Sequence, residues 1–308
     1  MNQEKNLTAL RKLFAQGKIQ KQEFIETCME SHQKLFEYVQ LTKETDIKTI
    51  KISEDGVCFS AGNDGFVVYA PADEPRVAPI ETLNFGLYEP HESRVMDRLM
   101  CGALQILDIG ANIGWHSIRF AIREPEASVH AFEPIPKNFA FLSRNIAANG
   151  LGHRVRSYNY GLSENTGAVD FFLAPTRCTN ASLRNLAQDE NVRTIRGLTL
   201  KLDDWCENYQ VHPDFIKCDV EGAEFLVFKG AENCLSKIKP IVFTELLRKW
   251  SAPFGYHPND VLSFFRNLSY DCYAVGTGGL QMIDKITDST IETNYVFLHN
   301  EAHRHLRP

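Results

Sequence analysis

Two short strings in this 308-residue chain combine glycine with acidic residues at spacings suited to chemistry. The first is Leu107-Asp108-Ile109-Gly110-Ala111-Asn112-Ile113-Gly114. An apolar run ends in an acidic residue, a glycine-bearing turn follows, and a helical stretch from His116 to Ile122 opens at once. Gly110 permits a tight turn, and Gly114 permits close packing of helix on sheet. A nucleotide-like ligand is expected across that strand end and the helix N-terminus. The next strand, Val129-His130-Ala131-Phe132-Glu133-Pro134, ends in Glu133, twenty-five positions after Asp108. A carboxylate there can accept hydrogen bonds from both hydroxyls of an adenosine ribose. Pro134 and Pro136 fix the exit of the chain, and Pro136 suits a first helical turn. The third strand ends in Asn159-Tyr160-Gly161, the place for an adenine edge.

The turn also discriminates between cofactors. Dinucleotide sites favour GxGxxG, whose middle glycine lets the backbone approach a pyrophosphate. Here Asn112 holds the middle position and the third glycine comes one residue early. S-adenosylmethionine (SAM) has no pyrophosphate and needs a donor-rich turn for its zwitterionic amino-acid end. Asn112 suits that role, because it tolerates a left-handed backbone and adds an amide. SAM is therefore the expected cofactor, and an NAD-dependent oxidoreductase on the same sheet topology is the rival.

The second string is Ile216-Lys217-Cys218-Asp219-Val220-Glu221-Gly222-Ala223-Glu224, where four charged side chains crowd a strand end and a helix start. Ligands of doubly wound sheets sit outside the carboxyl ends of the strands, so Asp219 and Glu221 should reach the cleft. Carboxylates this close raise one another's pKa, which suits a general base near neutrality. Glu224 is better read as a helix-start acid that complements the macrodipole. Glu245 ends the neighbouring strand and is a second candidate base. Asp219 and Glu245 are also oxygen donors of the kind magnesium or calcium takes, but scattered carboxylates do not specify an ion, so no metal is assigned. His116 is either a cleft residue or a histidine near the start of a buried helix. Pro175 to Thr194, with Arg177, Asn180, Arg184 and Arg193, reads as a polar surface loop.

These residues need a frame. From about residue 100 the pattern alternates: strands at Leu104–Ile109, Val129–Phe132, Val155–Tyr160, Phe215–Val220 and Ile241–Thr244, with helices at His116–Ile122, Pro136–Ala148, Glu224–Leu235 and Pro258–Leu268. Such alternation predicts a parallel sheet with helices on both faces. Val169–Leu173 and Leu198–Leu202 look like extra strands, and Tyr270–Val275 with Tyr295–His299 like a C-terminal strand pair. Upstream, Leu7, Leu10, Leu13 and Phe14 form one helical stripe and Phe24 to Val39 another, split at Gly17. Ile47–Ile52, Val57–Phe59 and Phe66–Tyr69 then read as a meander, turned at Asp55-Gly56 and Asn63-Asp64-Gly65. Residues 1–80 are expected to form a helical and β-meander cap on a domain spanning 81–308. Its apolar stripes must bury against something, either a second copy in a homodimer or the cleft as a lid.

Composition sets the outer bounds. A net charge of -6 offers no global basic field, so nucleic acid is not an expected partner. No apolar run approaches the ~18 residues of a membrane span, and the polar start lacks a signal-peptide core, so a soluble cytoplasmic protein is expected. The eight cysteines include no CxxC pair and read as reduced, mostly core residues.

Taken together, Leu107–Gly114, Ala131-Phe132-Glu133-Pro134, Leu202-Asp203-Asp204, Ile216–Glu224, Gly230-Ala231 and the strand ending at Glu245 make the chain resemble the FkbM family of SAM-dependent methyltransferases, over residues 88 to 270. Tyr88-Glu89 looks like a family element just ahead of the core. The first eighty residues show nothing that ties them to it. The resemblance implies a class I Rossmann-like sheet, mostly parallel with an antiparallel C-terminal strand. It also implies methyl transfer to a hydroxyl of a sugar, glycan or secondary metabolite. Cofactor contacts are then expected from Tyr88, Asp108, Gly110, Asn112, Gly114, Glu133, Pro134, Asn159, Gly161 and Asp219, with Asp219, Glu221 or Glu245 as the base. A glycan- or protein-binding module that keeps the fold without turnover is the non-enzymatic rival.

Overall fold

The computed structural model describes residues 6–62, 65–174, 177–186 and 192–307, with only the backbone described at 174 and 177–180. The Asn63-Asp64 turn and part of the 175–194 segment, including the side chains of Arg177 and Asn180, lie outside the described residues.

The chain opens with the helix pair α1 (Leu7–Ala15) and α2 (Lys21–Glu44). The antiparallel meander β1 (Ile47–Ser53), β2 (Gly56–Ala61) and β3 (Phe66–Tyr69) follows. Both were legible from periodicity. Two helices, α3 (Ala78–Phe85) and α4 (Pro90–Leu99), then lead into the sheet. They were missed because each is short and begins at a proline-bearing turn, Pro79 and Pro90 standing in their first turns.

The central unit runs β4 (Gln105–Ile109), α5 (Trp115–Arg123), β5 (Ser128–Phe132), α6 (Pro136–Ala148) and β6 (Val155–Tyr158). Next come the strands β7 (Gly161–Leu162), β8 (Gly167–Ala174), β9 (Arg177–Ser182) and β10 (Arg193–Leu200), which pair in the order β7-β10-β8-β9 as a second small sheet. The stretch expected to be mainly polar loop therefore contains a strand, β9. Leu202 does not end a strand but starts helix α7 (Leu202–Tyr209). β11 (Phe215–Cys218), α8 (Glu224–Lys229), β12 (Ile241–Glu245), α9 (Arg248–Ser251) and α10 (Pro258–Asn267) complete the alternation. The helix expected to reach Leu235 stops at Gly230 and resumes as a short π-helical turn at Cys234–Ile238.

The end of the chain carries β13 (Tyr270–Gly276), β14 (Gly279–Ile283) and β15 (Asn294–His299). The eight-stranded sheet has the order β14-β13-β15-β12-β11-β4-β5-β6. β12, β11, β4, β5 and β6 are mutually parallel, and β15 inserts antiparallel between β12 and β13. This is a mostly parallel α/β sheet of the class I methyltransferase type, with one hairpin strand, β14, beyond the expected pair. The central strands are buried on both faces, which is why they read as continuous apolar runs.

The N-terminal elements differ in how they join this body. From the meander, Ile47, Phe59, Ala61, Phe66 and Val68 sit in the same core as Ile106, Ile118 and Phe120. Asn145 and Asn149 of α6 bind the β3 backbone, accepting from the N–H of Tyr69 and Val67 at 2.8 Å and donating back to their carbonyls. Helix α2 buries only Cys28 and leaves Ile25, Met29, Leu35, Phe36 and Val39 exposed. Those exposed rows are what a second copy would need, but nothing else among the described residues supports the expected dimer. No helix among the described residues is long and apolar enough to cross a membrane.

Candidate active site

The strand order reverses at β4: the chain leaves it toward β5 and β6, then returns on its other side through β11 and β12. The carboxyl ends of β4 and β11 thus flank a crevice, the position where doubly wound sheets hold ligands. A cleft of about 960 Å³, including its open mouth, lies there. Its walls include Tyr88, Gly110, Asn112, Glu133, Pro134, Gly161 and Asp219 from the expected cofactor set, together with Glu221.

Close approach explains the turn. Gly110 has φ +83°, and a Cβ on it would lie 1.8 Å from the carbonyl oxygen of Asp219. Gly114 has φ +92°, and a Cβ there would lie 2.7 Å from Leu142 Cδ1. No side chain fits at Gly110, where the obstacle is backbone; at Gly114 the Leu142 tip would have to move and the positive φ would be strained. Asn112 between them is left-handed at φ 50°, as expected for the middle position. Its Oδ1 is buried without a hydrogen-bond partner. An orphaned amide oxygen on a cleft wall suits a ligand that brings a donor.

Glu133 is the hinge of the site. It is only 4% exposed, and its two oxygens accept from the N–H of Asn112 and of Ile135, both at 2.9 Å. Burial pushes its carboxyl up to about 7, against the pull of those two N–H groups. The Asn138 side chain is a third hydrogen-bond partner, and a carboxylate has about four acceptor sites, so one remains for a ligand hydroxyl. Asn159 does not line the cleft. Its Nδ2 donates to the carbonyls of Glu133 and Pro134 at 2.9 and 3.2 Å, fixing the exit of β5.

Asp108 also lies behind the wall. It is fully buried, accepts from Ser117 Oγ at 2.5 Å and faces Lys217 Nζ at 3.5 Å. The Lys217 ammonium reaches the Gly110 carbonyl at 3.2 Å and Asp219 Oδ2 at 3.6 Å. Burial alone would lower its pKa, but Asp108 and Asp219 more than offset that and hold it above the ordinary lysine range. This buried cation ties strand β4, the glycine turn and the acidic string together. Sequence reasoning placed Lys217 in the crowd without giving it a role. The signal was its position, two residues before Asp219 on the same face of a strand.

The acidic string divides by function of place. Glu224 is buried and accepts from the N–H of Val220 at 3.0 Å and of Gly222 at 3.1 Å, so it braces the turn ahead of α8. Burial raises it to about 7. Asp219 and Glu221 line the cleft. Glu221 is left-handed at φ 55°, and its Oε2 is buried without a partner. Burial, then the charges of Asp219, Glu245 and Glu224, hold it well above the carboxylate range. Glu245 is not a wall residue, and burial followed by Asp219 raises it to about 9.

Glu89, Asn112 and Glu221 are three of the six non-glycine residues with positive φ among the described residues. Backbone strain thus collects around one cleft, as it does at functional sites. Glu89 Oε2 lies 3.1 Å from His116 Nε2. His116 lines the cleft beside Tyr88, and its Nδ1 is buried without a partner. Ala181, Ser182 and Leu183, at the end of β9, close the opposite wall. Ser182 Oγ donates to the Glu221 carbonyl at 2.8 Å. These three were missed, since a polar stretch gives no periodic signal. Arg184, read as part of a polar surface loop, is exposed and approaches the Phe254 ring at 6.0 Å.

Fold and cleft define an α/β protein with a concave, acid-lined cleft at the switch point of a class I methyltransferase sheet. The chain belongs to the FkbM methyltransferase family, whose domain, "Methyltransferase FkbM domain", matches residues 108–272. It is similar to the hexuronic acid methyltransferase AglP of Haloferax volcanii, with 32% identity over 136 residues, 44% of this chain and 53% of that protein. It is also similar to the 2-O-methyltransferase NoeI of Sinorhizobium fredii, with 31% identity over 179 residues, 52% of this chain and 72% of that protein. The methyltransferase sdnD of Sordaria araneosa shares 33% identity over 158 residues, 42% of this chain and 60% of that protein. The chain thus spans about half the length of the first of these relatives.

Proposed function

We propose that this chain is a SAM-dependent O-methyltransferase acting on a hydroxyl of a sugar-like or secondary-metabolite acceptor. The observation that carries the reading is the turn from Gly110 to Gly114 held by Glu133, with the Asn112 amide oxygen left without a partner. Asn112 and Gly110 would meet the amino-acid end of the cofactor, and Glu133 a hydroxyl of its ribose. SAM supplies a methyl group on a positively charged sulfur, which an oxygen nucleophile can displace. Two of the similar proteins are named for hexuronic acid and for 2-O transfer, which favours a sugar hydroxyl as the acceptor.

The remaining work falls to the chain's own carboxylates. A hydroxyl is a weak nucleophile until its proton is leaving. As the oxygen–carbon bond forms and the carbon–sulfur bond breaks, that proton must pass to a base. Asp219 is the assigned base: it lines the cleft and faces the Lys217 ammonium at 3.6 Å. Glu221 carries a raised pKa and a buried Oε2 without a partner, so in its protonated form it would be a hydrogen-bond donor that orients the acceptor. Glu245, raised to about 9 and off the wall, would be neutral near pH 7 and would not touch the acceptor.

Isothermal titration with SAM and NAD tests the cofactor. Saturable SAM binding without NAD binding is expected, and the reverse would overturn the assignment. Release of S-adenosylhomocysteine with hexuronic-acid and neutral-sugar acceptors then separates an enzyme from a binding module.

A further inference from the structure

Three residues beside the cleft take no part in the proposed proton transfer: Tyr88 and Glu89, just ahead of the sheet, and His116 of α5. Glu89 is the N-cap of α4, left-handed at φ 44° and ψ 59°, and its side chain makes no cap hydrogen bond. A non-glycine residue held there carries strain, and this strain does not serve the helix. Instead Glu89 Oε2 lies 3.1 Å from His116 Nε2, and the Tyr88 hydroxyl is a second donor to the same carboxyl. Burial would raise the Glu89 pKa, but His116, Lys217 and Tyr88 hold it below the ordinary glutamate value. An ionised carboxylate only accepts, so Nε2 carries the proton, and in the neutral ring the lone pair stands on Nδ1. The ring packs on Tyr88 and Phe120, with centroids 5.8 and 5.7 Å away. His116 is 7% exposed and lines the cleft, and its Nδ1 has no partner among the described residues.

The wall thus holds two buried acceptors that lack a donor, Asn112 Oδ1 and His116 Nδ1, on either side of Gly114 in the chain. A hydroxyl brings one donor and an ionised carboxylate or phosphate none, whereas an ammonium brings three. The neighbouring charges agree with a cation. Glu133, Asp219 and Glu221 of the wall are acidic, and Lys217 is engaged by Asp108, Asp219 and the Gly110 carbonyl. We propose that His116, oriented by Glu89, is a cofactor-binding residue whose Nδ1 accepts from the α-ammonium of the SAM amino-acid end, alongside Asn112. The first-turn N–H groups of α5 are donors and suit the carboxylate of the same zwitterion. This role of His116 rests on SAM as the ligand of the cleft.

The test is isothermal titration of the full chain with three thioethers of equal sulfur charge. These are S-adenosylhomocysteine, its decarboxylated form, which keeps the ammonium, and methylthioadenosine, which lacks the amino-acid end. In the wild type, methylthioadenosine should bind at least about tenfold more weakly than the decarboxylated form, as loss of a hydrogen bond to a charged group implies. His116→Phe keeps an aromatic ring and removes both nitrogens. It should weaken the two ammonium ligands at least about tenfold and leave methylthioadenosine unchanged. His116→Asn, which retains an acceptor near the Nδ1 position, should recover part of that loss, and Glu89→Gln, which frees the tautomer, should show a smaller loss of the same kind. Unchanged circular dichroism and Tm would show that the variants are folded. Equal wild-type affinity for methylthioadenosine and the decarboxylated form would overturn the proposal, whatever the variants do. So would an equal loss for all three ligands in His116→Phe, which would make the ring a packing element. A raised KM for the sugar acceptor with S-adenosylhomocysteine affinity unchanged would seat the acceptor on Nδ1 and overturn it too. Wild-type protein that binds neither SAM nor S-adenosylhomocysteine would overturn the cofactor assignment together with the role of His116, whereas binding that ignores His116 overturns that role alone.

Discussion

The rim of the parallel sheet and the N-terminal cap treat their side chains in opposite ways. At the rim, charged groups are buried and tied: Asp108 by Ser117 and Lys217, Glu133 by two backbone N–H groups, Glu224 by two more. In α2, apolar groups are exposed and loose, with Cys28 alone buried. Burying charge and straining backbone both destabilise a fold, so a structure keeps them where ligand binding or chemistry needs them. The meander belongs with the rim in this contrast. Its five core residues support α5 and α6, the helices that follow β4 and β5.

The comparison breaks first by deletion. Removing the chain up to Tyr69 takes away Ile47, Phe59, Ala61, Phe66 and Val68, and buried aliphatic or aromatic residues contribute ~1.5–3 kcal/mol each. That loss is comparable with the whole ~5–15 kcal/mol of a domain. Such a fragment should show no cooperative melting transition by calorimetry; a transition near that of the full chain would mean the meander is an ornament.

Asp219→Asn comes next. Single-turnover methyl transfer should fall by ~10²–10⁴-fold, with SAM affinity nearly unchanged. A loss below about tenfold would assign proton removal elsewhere, and Glu221→Gln then becomes the decisive comparison.

Glu133→Gln should weaken SAM by roughly 1.5–3 kcal/mol, the contribution of hydrogen bonds to a charged group. Glu133→Ala should also lower Tm, because the N–H groups of Asn112 and Ile135 lose their acceptor. Calorimetric titration reads the first and scanning calorimetry the second.

The pH dependence is gentler. Burial raises the Glu133 carboxyl to about 7, so the proton is held below that value and lost above it. Hydroxyl donors prefer the carboxylate, hence SAM affinity should climb as pH rises through 7 and level off by about 8. Because the shift is upward, Glu133 favours the free fold most below its ordinary range near 4.5, and that contribution is lost as pH rises through 7. Titrations at pH 6, 7 and 8 check the slope, and Glu133→Gln should flatten it.

The smallest effect belongs to the helix pair. A chain starting at Thr45 loses α1 and α2 but keeps the meander, and its Tm should stay within a few degrees. A collapse of stability there would place the helix pair with the rim.

Much of the rim was legible because its constraints are local. A glycine that must pass within contact distance of a neighbouring strand, as Gly110 passes Asp219, leaves a mark in the sequence. So does a carboxylate required at the end of β5. What was not legible depends on pairing between distant segments. Ser182 reaches the cleft because β9 pairs with β8, placing Phe172 opposite Ser182, and nothing within residues 174–182 announces that partner. Asp108 and Asn159 carried the right signature for cofactor residues, but the packing of Ser117 and the carbonyls of Glu133 and Pro134 turned them to supporting roles. Glu245 sits at the strand end that was expected, but its side chain is not among those lining the cleft.

Trp115 has a place between the two regions. Its ring meets Phe66 of β3 at 5.0 Å and Tyr88 at 5.6 Å, both edge-on, while it also lines the cleft. The chain has three tryptophans, and Trp205 is buried with its Nε1 donating to Tyr160. Trp115 is therefore a built-in optical reporter with the meander on one side and the ligand on the other. With Trp205 and Trp250 replaced by phenylalanine, the emission of the remaining indole would register cofactor entry and loosening of the meander as separate spectral events.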